Sequence, residues 1–220
     1  MPRRTKEEAL QTRETLIEAA EVVFHRKGVS ASSLNDIAKE AGVTRGAVYW
    51  HFKNKHDIFQ AIVDRLLAPL DTLHDQIEDP SEPDPLSRFR ELLEYLTLEI
   101  ARDPRRRRGF EIAFLKCEQT EANAVLNERH RQNYLDGSER IRKALEAAVS
   151  KGQLPADLDI ERGVAHLHIQ LTGIIYLWLV LPDVIDFEKE ALHMIDSFFM
   201  TIKQNFGSDV QPQSQVRNQG

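Results

Sequence analysis

Apolar residues recur at helical spacing along most of this 220-residue chain, and no stretch shows convincing two-residue alternation. Without alternating segments there is no basis for a sheet, so the chain can fold only by burying the apolar faces of helices against one another. The sequence therefore predicts an all-α fold. We expect nine helices, over approximately residues 6–27, 33–42, 44–52, 54–77, 84 onward, 104–118, 122–151, 159–181 and 187–205.

Two short predicted helices follow the long first one and are separated by the turn Gly42-Val43. The earlier of the two begins near Ser33, which together with Asp36 forms a pattern like a capping box. Two short helices joined by a tight glycine-containing turn are typical of a helix-turn-helix, for which the first helix is the support. We expect a DNA-binding head over residues 1–53, with the helix-turn-helix at about 33–52.

The third predicted helix has an unusual outward face. Val48 and Phe52 share the side that is expected to enter the core. The opposite side carries a small residue, two large aromatics and a lysine, namely Gly46, Tyr49, Trp50 and Lys53. Small residues allow close approach to the major groove, and basic groups meet phosphates. For Trp50, core packing is an equal alternative. The predicted contacts with double-stranded DNA are Ser33, Thr44, Arg45, Gly46, Tyr49, Trp50, His51 and Lys55.

The charge of the chain is unevenly distributed. The net charge is −6, which by itself argues against a nucleic-acid partner. Residues 1–65 nevertheless hold 11 of the 29 basic and 9 of the 35 acidic residues, so this part carries +2 and the remainder −8. A slightly basic head on an acidic body is compatible with DNA binding at one end, where docking depends on geometry as well as charge.

The middle of the chain suits a ligand cavity. Predicted helices five to seven combine large apolar side chains with a few hydrogen-bonding groups, as pockets for drug-sized molecules do. The same periodicity is compatible with an ordinary core. If a cavity exists, we expect a small apolar or amphipathic effector to contact Phe89, Leu93, Leu96, Phe110, Phe114, Cys117, Asn133, Tyr134 and Ile141.

Predicted helices eight and nine are more apolar than one core requires. Residues 174–181 are apolar on all sides, and helix nine has a wide apolar stripe. The pair is either a deeply buried hairpin in a monomer or a subunit interface that forms a four-helix bundle. A two-fold helix-turn-helix protein needs a dimer to present its recognition helices roughly 34–36 Å apart. We therefore favour a homodimer interface of Ile174, Tyr176, Trp178, Phe198, Phe199 and Ile202.

Metal, cofactor and catalytic sites are not expected. His166 and His168 are two residues apart on a helix, so their side chains diverge too far to chelate one ion. The single cysteine allows no intrachain disulfide. There is no catalytic constellation and no phosphate-binding glycine loop. The run of four arginines at 105–108 is interpreted as a solvated helix face, because adjacent residues point in different directions around a helix.

The remaining features concern location and boundaries. The N-terminus lacks the apolar core of a signal peptide, and residues 174–181 fall far short of the roughly 20 needed to cross a bilayer. We therefore expect a cytoplasmic protein with no membrane partner.

Pro69 should bend or interrupt the fourth helix. The proline-rich stretch 79–85 should link helices within a body of residues 54–206, and the polar tail 207–220 should be disordered.

Several segments resemble the TetR/AcrR family of bacterial repressors. For the head, the similar segments are Arg3–Ala9, Ser33–Ala38 and above all Gly42–Lys55. In the body, residues 115–118, 154–158 and 179–183 resemble the family's efflux-pump regulators. The head motif is specific, and the body motifs are less so.

The resemblance implies a TetR-like fold of nine helices, with three in the head, six around a ligand pocket and the last two forming a dimer. It implies repression at a palindromic operator, commonly of multidrug efflux genes, relieved when a drug-like compound binds. A ligand-independent repressor or an activator with the same head is the alternative, and an all-helical carrier or enzyme ranks below both. By matching position, bases and phosphates would be contacted by Thr44, Arg45, Gly46, Tyr49 and His51, with Lys55 on the DNA backbone.

Overall fold

The structure, a computed structural model, describes residues 6–77, 81–117 and 124–204. Nine helices and no strand occur in these residues, which confirms the predicted all-α class. The N-terminal arm before residue 6, the polar tail, and the predicted junction of helices six and seven at Glu118 and Ala122 lie outside them. The helices are α1 Lys6–Lys27, α2 Leu34–Glu40, α3 Arg45–His51, α4 Lys55–Ile77, α5 Pro85–Arg102, α6 Pro104–Leu115, α7 Ala124–Ser150, α8 Ile160–Val180 and α9 Phe187–Lys203.

Local sequence signals set the ends of the two short helices. The Ser33 hydroxyl accepts a hydrogen bond from the Asp36 amide, and the Asp36 carboxylate accepts one from the Ser33 amide, which completes the predicted capping box. Thr44 caps α3 by accepting from the Ala47 amide. Between the two helices Gly42 adopts a φ of +66°, a left-handed conformation that glycine tolerates without strain. This turn gives α3 its angle to α2.

Helix α4 has the predicted extent and continues through Pro69. It runs without a break from Lys55 to Ile77, so of the bend or interruption predicted at Pro69 the interruption is wrong. A proline inside a helix removes one backbone donor. The contacts that α4 makes with α1, α5, α6 and α7 hold its backbone despite that loss.

The head and the start of α4 share one hydrophobic core. Fully buried side chains from α1, α2, α3 and α4 meet in it, including Phe24, Ile37, Val48 and Ile58. Ile112 of α6 belongs to the same cluster. The head is therefore packed directly against an element of the body.

Two further clusters form the body. In the first, α5, α7, α8 and α9 meet, and Phe89 contacts Phe199 edge to face with ring centroids 5.9 Å apart. In the second, Trp178 of α8 stacks on Phe187 of α9 at 4.5 Å. A cavity lies among α4 to α8 and the start of α9.

Candidate DNA interface and effector cavity

Helix α3 is anchored on one side by buried apolar residues. Val48 is fully buried, and Phe52, the residue after the helix, is nearly so. The Arg13 guanidinium covers the Phe52 ring at 5.1 Å from its centroid. Because α3 has only seven residues, these anchors determine which of its faces points away from the protein.

The face opposite the anchors is exposed and aromatic. Tyr49 is 47% exposed and Trp50 is 72% exposed, so Trp50 is not part of the core. The His51 ring lies edge-on to the Trp50 ring at 4.5 Å. Clustered exposed aromatic surface is a mark of a binding site.

Arg45 and Tyr49 form a polar pair one turn apart on this face. The Arg45 Nη2 atom donates to the Tyr49 hydroxyl at 3.0 Å, and the guanidinium lies 5.3 Å from the ring centroid. The tyrosine thereby orients the arginine. A guanidinium held at an exposed surface can bind a phosphate or the edge of a guanine.

Gly46 sits on the same face without any steric need for glycine. A Cβ atom at this position would meet only the Thr44 side-chain oxygen, at 3.9 Å. The packing of the protein would therefore accept alanine. A glycine at such an open position suits a close approach of the backbone to DNA.

Two of the predicted contact residues have structural partners. The Ser33 hydroxyl donates to Asp36 Oδ2 at 2.7 Å as part of the capping box. The Lys55 ammonium donates to the carbonyl oxygens of Ser30 and Ser32, at 2.5 and 3.1 Å, and burial lowers the Lys55 pKa. Lys55 thus ties α4 to the turn before α2, so two of its three donors are engaged within the fold.

The body contains a cavity of about 920 Å³. This volume lies in the range of pockets for drug-sized ligands. Among its lining residues are eight of the nine predicted ones: Phe89, Leu93, Leu96, Phe110, Phe114, Asn133, Tyr134 and Ile141.

The ninth predicted residue, Cys117, does not line the cavity. It packs against the core shared by the head and α4. Helix α6 ends at Leu115, so Cys117 no longer follows the helical face that carries Phe110 and Phe114 to the cavity. The prediction failed because it extended α6 through this residue.

The cavity also uses residues that the sequence prediction missed. Phe59, Val63 and Leu66 of α4 form a wall of the cavity. Phe59 and Val63 also belong to the core that the head shares with α4. Arg106, Arg131 and Arg140 line it as well, although nothing in their spacing distinguishes them from solvated arginines. An apolar stripe predicts that a face is covered, and it does not tell whether a side chain or a ligand covers it.

His168 provides a polar group in the otherwise apolar region where α7 and α8 meet. Its ring packs on Tyr134 with centroids 4.3 Å apart, and its Nδ1 atom lies 3.4 Å from the Ser138 hydroxyl. Burial lowers the His168 pKa. At neutral pH the ring is therefore uncharged and can both donate and accept hydrogen bonds.

The arginine run does not behave as the predicted solvated face. Arg105 pairs with Glu18 of α1 at 2.8 Å. Arg106 is mostly buried and donates to the Leu66 carbonyl at 3.4 Å. Arg107 lies over the Trp178 ring of α8, 4.8 Å from its centroid. Adjacent arginines do point in different directions, and Arg105, Arg106 and Arg107 contact α1, α4 and α8, respectively.

Helix α6 connects the cavity to the head. Its residues Arg106, Phe110 and Phe114 line the cavity. On its other side, Glu111 contacts His25 of α1 at 2.7 Å. After the helix ends, the Lys116 carbonyl accepts a hydrogen bond from the Val29 amide at 2.9 Å. A displacement of α6 by a ligand would therefore reach the head directly.

A buried ion pair joins α1 to α4. The Glu21 carboxylate is almost completely buried and pairs with Arg65. Burial raises the Glu21 pKa, and the attraction of Arg65 opposes this rise without cancelling it. The pair is a second polar link between head and body, next to the α6 contacts.

Four of the six predicted interface residues lie inside the protomer, which corrects that prediction. Trp178, Phe198, Phe199 and Ile202 are buried. The cause is that α9 packs with this face on α5 and α8 of its own chain. Only Tyr176 is exposed, and Ile174 is half-buried.

A different apolar stripe is open on α8 and just beyond it. Ile169 is 71% exposed and Leu177 is 47% exposed, Val180 is exposed at the end of the helix, and Val184 is exposed in the turn that follows it. By length and hydropathy alone α8 could also span a membrane, although a third of its apolar window is buried. A helix that is apolar on all sides is normally covered on all sides.

In the part of the chain that the structure describes, no group of three or more histidine, cysteine or acidic side chains could hold a metal ion. The two histidines weighed for such a role lie in different surroundings. His166 stacks near Phe198 of α9, whereas His168 faces Tyr134 of α7.

Sequence families match both halves of the chain. Residues 16–62 match the family of bacterial regulatory proteins called tetR, and residues 84–204 match the C-terminal region of the MAATS-type transcriptional repressors. The first match contains the helix-turn-helix, and the second contains α5 to α9.

Individual proteins give the same result. The transcriptional regulator TtgR of Pseudomonas putida is 43% identical over 90% of this chain and 94% of its own. The structure of the SmeT–triclosan complex superposes with a TM-score of 0.81 at 31% identity, covering 87% of this chain and 91% of the other. NalD, the secondary repressor of the MexAB-OprM multidrug efflux pump in Pseudomonas aeruginosa, gives 0.77 at 29% identity, covering 87% and 96%. The chain belongs to the TetR family of bacterial regulatory proteins, and it is a DNA-binding transcriptional regulator rather than an enzyme.

Proposed function

We propose that this protein is a homodimeric repressor of multidrug efflux genes that leaves a palindromic operator when an apolar or amphipathic compound enters its cavity. The observation that carries the proposal is the double role of α6, which lines the cavity and contacts α1 of the head. The link to efflux comes from similar proteins. SmeT is the repressor of the Stenotrophomonas maltophilia multidrug efflux pump SmeDEF, and NalD is described above.

In this proposal α3 enters the major groove with its exposed face. Arg45 and Tyr49 would contact bases or phosphates, and Gly46 would let the backbone approach. Thr44, Trp50 and His51 flank them. Ser33 and Lys55 would add contacts from the turn before α2 and the start of α4, in addition to their roles in the fold.

The second copy of the chain would cover the open stripe on α8. Ile169, Leu177 and Val180 of α8, Val184 just beyond it and Met200 of α9 are all exposed apolar side chains. Dimerisation through this surface would bring α8 of both protomers together in a bundle. It would also set the distance between the two copies of α3.

Effector binding would act by a difference in affinity between two arrangements of the head. A compound that binds the DNA-free arrangement more tightly shifts the population toward it, and a coupling of about 1–3 kcal/mol is typical. The close approach of α6 to α4 suits this role. A Cβ atom at Gly109 would lie 2.6 Å from Leu66 Cδ2, so a movement of either helix must be shared by the other.

As a regulator of bacterial genes, the protein would work in the cytoplasm.

Two alternative functions share the same head: an activator and a ligand-independent repressor. The cavity of about 920 Å³ favours a ligand-responsive protein over the second alternative.

Gel shifts on the DNA that flanks the gene, repeated with a panel of dyes, antibiotics and bile acids, test the proposal. We expect a saturable shift that at least one compound reverses. Reporter expression with and without the gene fixes the sign of regulation, and we expect higher expression without it. A shift that no compound reverses, or a lower reporter signal without the gene, would reject a ligand-released repressor.

A further inference from the structure

The described residues that line the cavity include five basic side chains. Arg106, Arg131 and Arg140 contribute guanidinium groups, and His130 and His168 contribute imidazoles. Among the described side chains that line the cavity, none is an aspartate or a glutamate. This bias is opposite to that of the whole chain, in which acidic residues outnumber basic ones by 35 to 29.

Arg106 and Arg131 differ in how their charge is balanced. Arg106 lies within 3.4 Å of a Glu99 carboxylate oxygen and 3.9 Å of one from Asp103, so its charge is largely compensated. Arg131 pairs at 3.3 Å with Glu128, and both side chains are exposed. Exposed pairs of this kind contribute little stability, so a ligand can replace the carboxylate at small cost.

The uncharged polar groups fit the same type of ligand. Asn133, Tyr134 and Tyr176 line the cavity and can donate hydrogen bonds to an oxyanion. His168 is uncharged at neutral pH, so it adds a hydrogen-bonding group without a negative charge. A cationic ligand would find hydroxyl and amide oxygens here, but no carboxylate among the described lining residues to neutralise it.

From this lining we infer that the cavity selects apolar weak acids, meaning an apolar body that carries a carboxylate or phenolate, over lipophilic cations of the same size. Arg131 and Arg140 bind the acidic end, and the surrounding phenylalanine and leucine side chains bind the body. The inference rests on the proposed role of the cavity as the effector site and specifies the chemical class of that effector.

Three fluorescent probes with one apolar body test the inference: pyrenebutyrate, pyrenebutanol and pyrenebutylamine. Each is titrated into the purified full-length protein at neutral pH and physiological ionic strength, where the first is an anion and the third a cation. We expect the acid to bind most tightly and the amine most weakly, with at least about a tenfold difference between them, since hydrogen bonds to charged groups are the stronger ones.

The double substitution Arg131→Gln with Arg140→Gln separates charge recognition from apolar binding. We expect it to weaken pyrenebutyrate binding about tenfold and to leave pyrenebutanol binding within about twofold. Arg142→Gln is the matched control on the same helix, because Arg142 pairs with Glu139 and Glu161 and does not line the cavity. It should change neither affinity.

The possible results distinguish this inference from the proposed function. Equal or tighter binding of the amine, or an unchanged preference for the acid in the double variant, would overturn the charge selectivity. If the amine then released the DNA as effectively as the acid in a gel shift, the protein would remain a ligand-released repressor. Failure of all three probes to bind would overturn the selectivity inference and count against this cavity as the effector site, while α3 would still be tested by DNA binding alone.

Discussion

At Gly46, the effect of a substitution on stability can be separated from its effect on DNA binding. Its Cβ position is open in the protein, so Gly46→Ala should fold normally and gain about 0.5 kcal/mol in free energy of unfolding from the better helix former. The added methyl group would project toward the major groove. We therefore expect an unchanged or slightly higher Tm in a thermal melt, together with operator affinity lowered at least about tenfold in a gel shift.

Gly42→Ala is the control for the glycine argument. Gly42 has a positive φ of 66°, so alanine at this position should lower the free energy of unfolding by about 1 kcal/mol. The two variants should therefore move Tm in opposite directions. Wild-type operator affinity in Gly46→Ala would contradict the placement of this face against DNA.

The burial of Glu21 determines how its contribution to the stability of the protein changes with pH. Burial raises its pKa, so the stability it contributes is present below about pH 4.5 and is lost as the pH rises through the raised value. Glu21→Gln keeps an uncharged hydrogen-bonding group at every pH. We expect the Tm of the variant, measured relative to the wild type, to increase from acidic to neutral pH.

Glu14→Gln is the matched control for this pH series. Glu14 also lies near Arg65, at 3.5 Å, but it is exposed. Because exposed ion pairs contribute little stability, its Tm should lie close to that of the wild type. A Glu21→Gln variant that loses stability relative to the wild type as the pH rises would show that the ion pair with Arg65 outweighs burial.

For the helices, the sequence predicted correctly the features that depend on residues close together in the chain. The capping box of Ser33 and Asp36 involves residues three apart, so its chemistry is readable without the fold. The outward direction of Tyr49 follows from helical spacing relative to Val48. Cys117 could not be placed in the same way, because it lies beyond the end of α6 and its direction depends on tertiary packing.

The apolar stripe of α9 shows a second limit of prediction from the sequence. Helical spacing predicted correctly that Phe198 and Phe199 are covered, but it assigned them to a partner chain. In the structure they pack on α5 and α8 of the same chain. A pattern of apolar residues identifies a covered face and carries no information about which chain covers it.

Helix α6 is the element whose contacts should control the response to effector. Glu111 contacts both His25 of α1 and Arg107 of α6 itself. Glu111→Ala should leave effector affinity within about twofold and reduce several-fold the factor by which effector weakens operator binding, because typical couplings are about 1–3 kcal/mol. Gel-shift titrations with and without the compound that releases the wild-type protein measure this factor.

Glu91→Ala is the control for α6, since Glu91 pairs with Arg88 on the exposed side of α5. It should leave the release factor unchanged. An unchanged factor in Glu111→Ala would mean that the effector signal reaches the head by another route, such as α4 alone.

For the whole molecule, the open stripe on α8 is the proposed contact between protomers. Leu177→Glu places a charge in that contact, where it would be desolvated without a partner. We expect the dimer to become a monomer in light scattering, with helical content retained because Leu177 is exposed in the protomer. Operator binding should fall with it.

Leu10→Glu introduces the same charge at an exposed leucine of the head. It should leave the dimer intact. A Leu177→Glu protein that remains dimeric would reject the α8 surface as the interface. Other exposed apolar residues would then have to form it.

The most direct test of the central claim is operator affinity after Tyr49→Ala, compared with Tyr95→Ala. Both tyrosines are about equally exposed, at 47% and 46%, but Tyr95 lies on α5 in the body. We predict that a gel-shift titration finds operator binding lost in Tyr49→Ala and retained in Tyr95→Ala, with effector affinity unchanged in both. Equal operator affinity in the two variants would contradict the assignment of α3 as the DNA-reading helix.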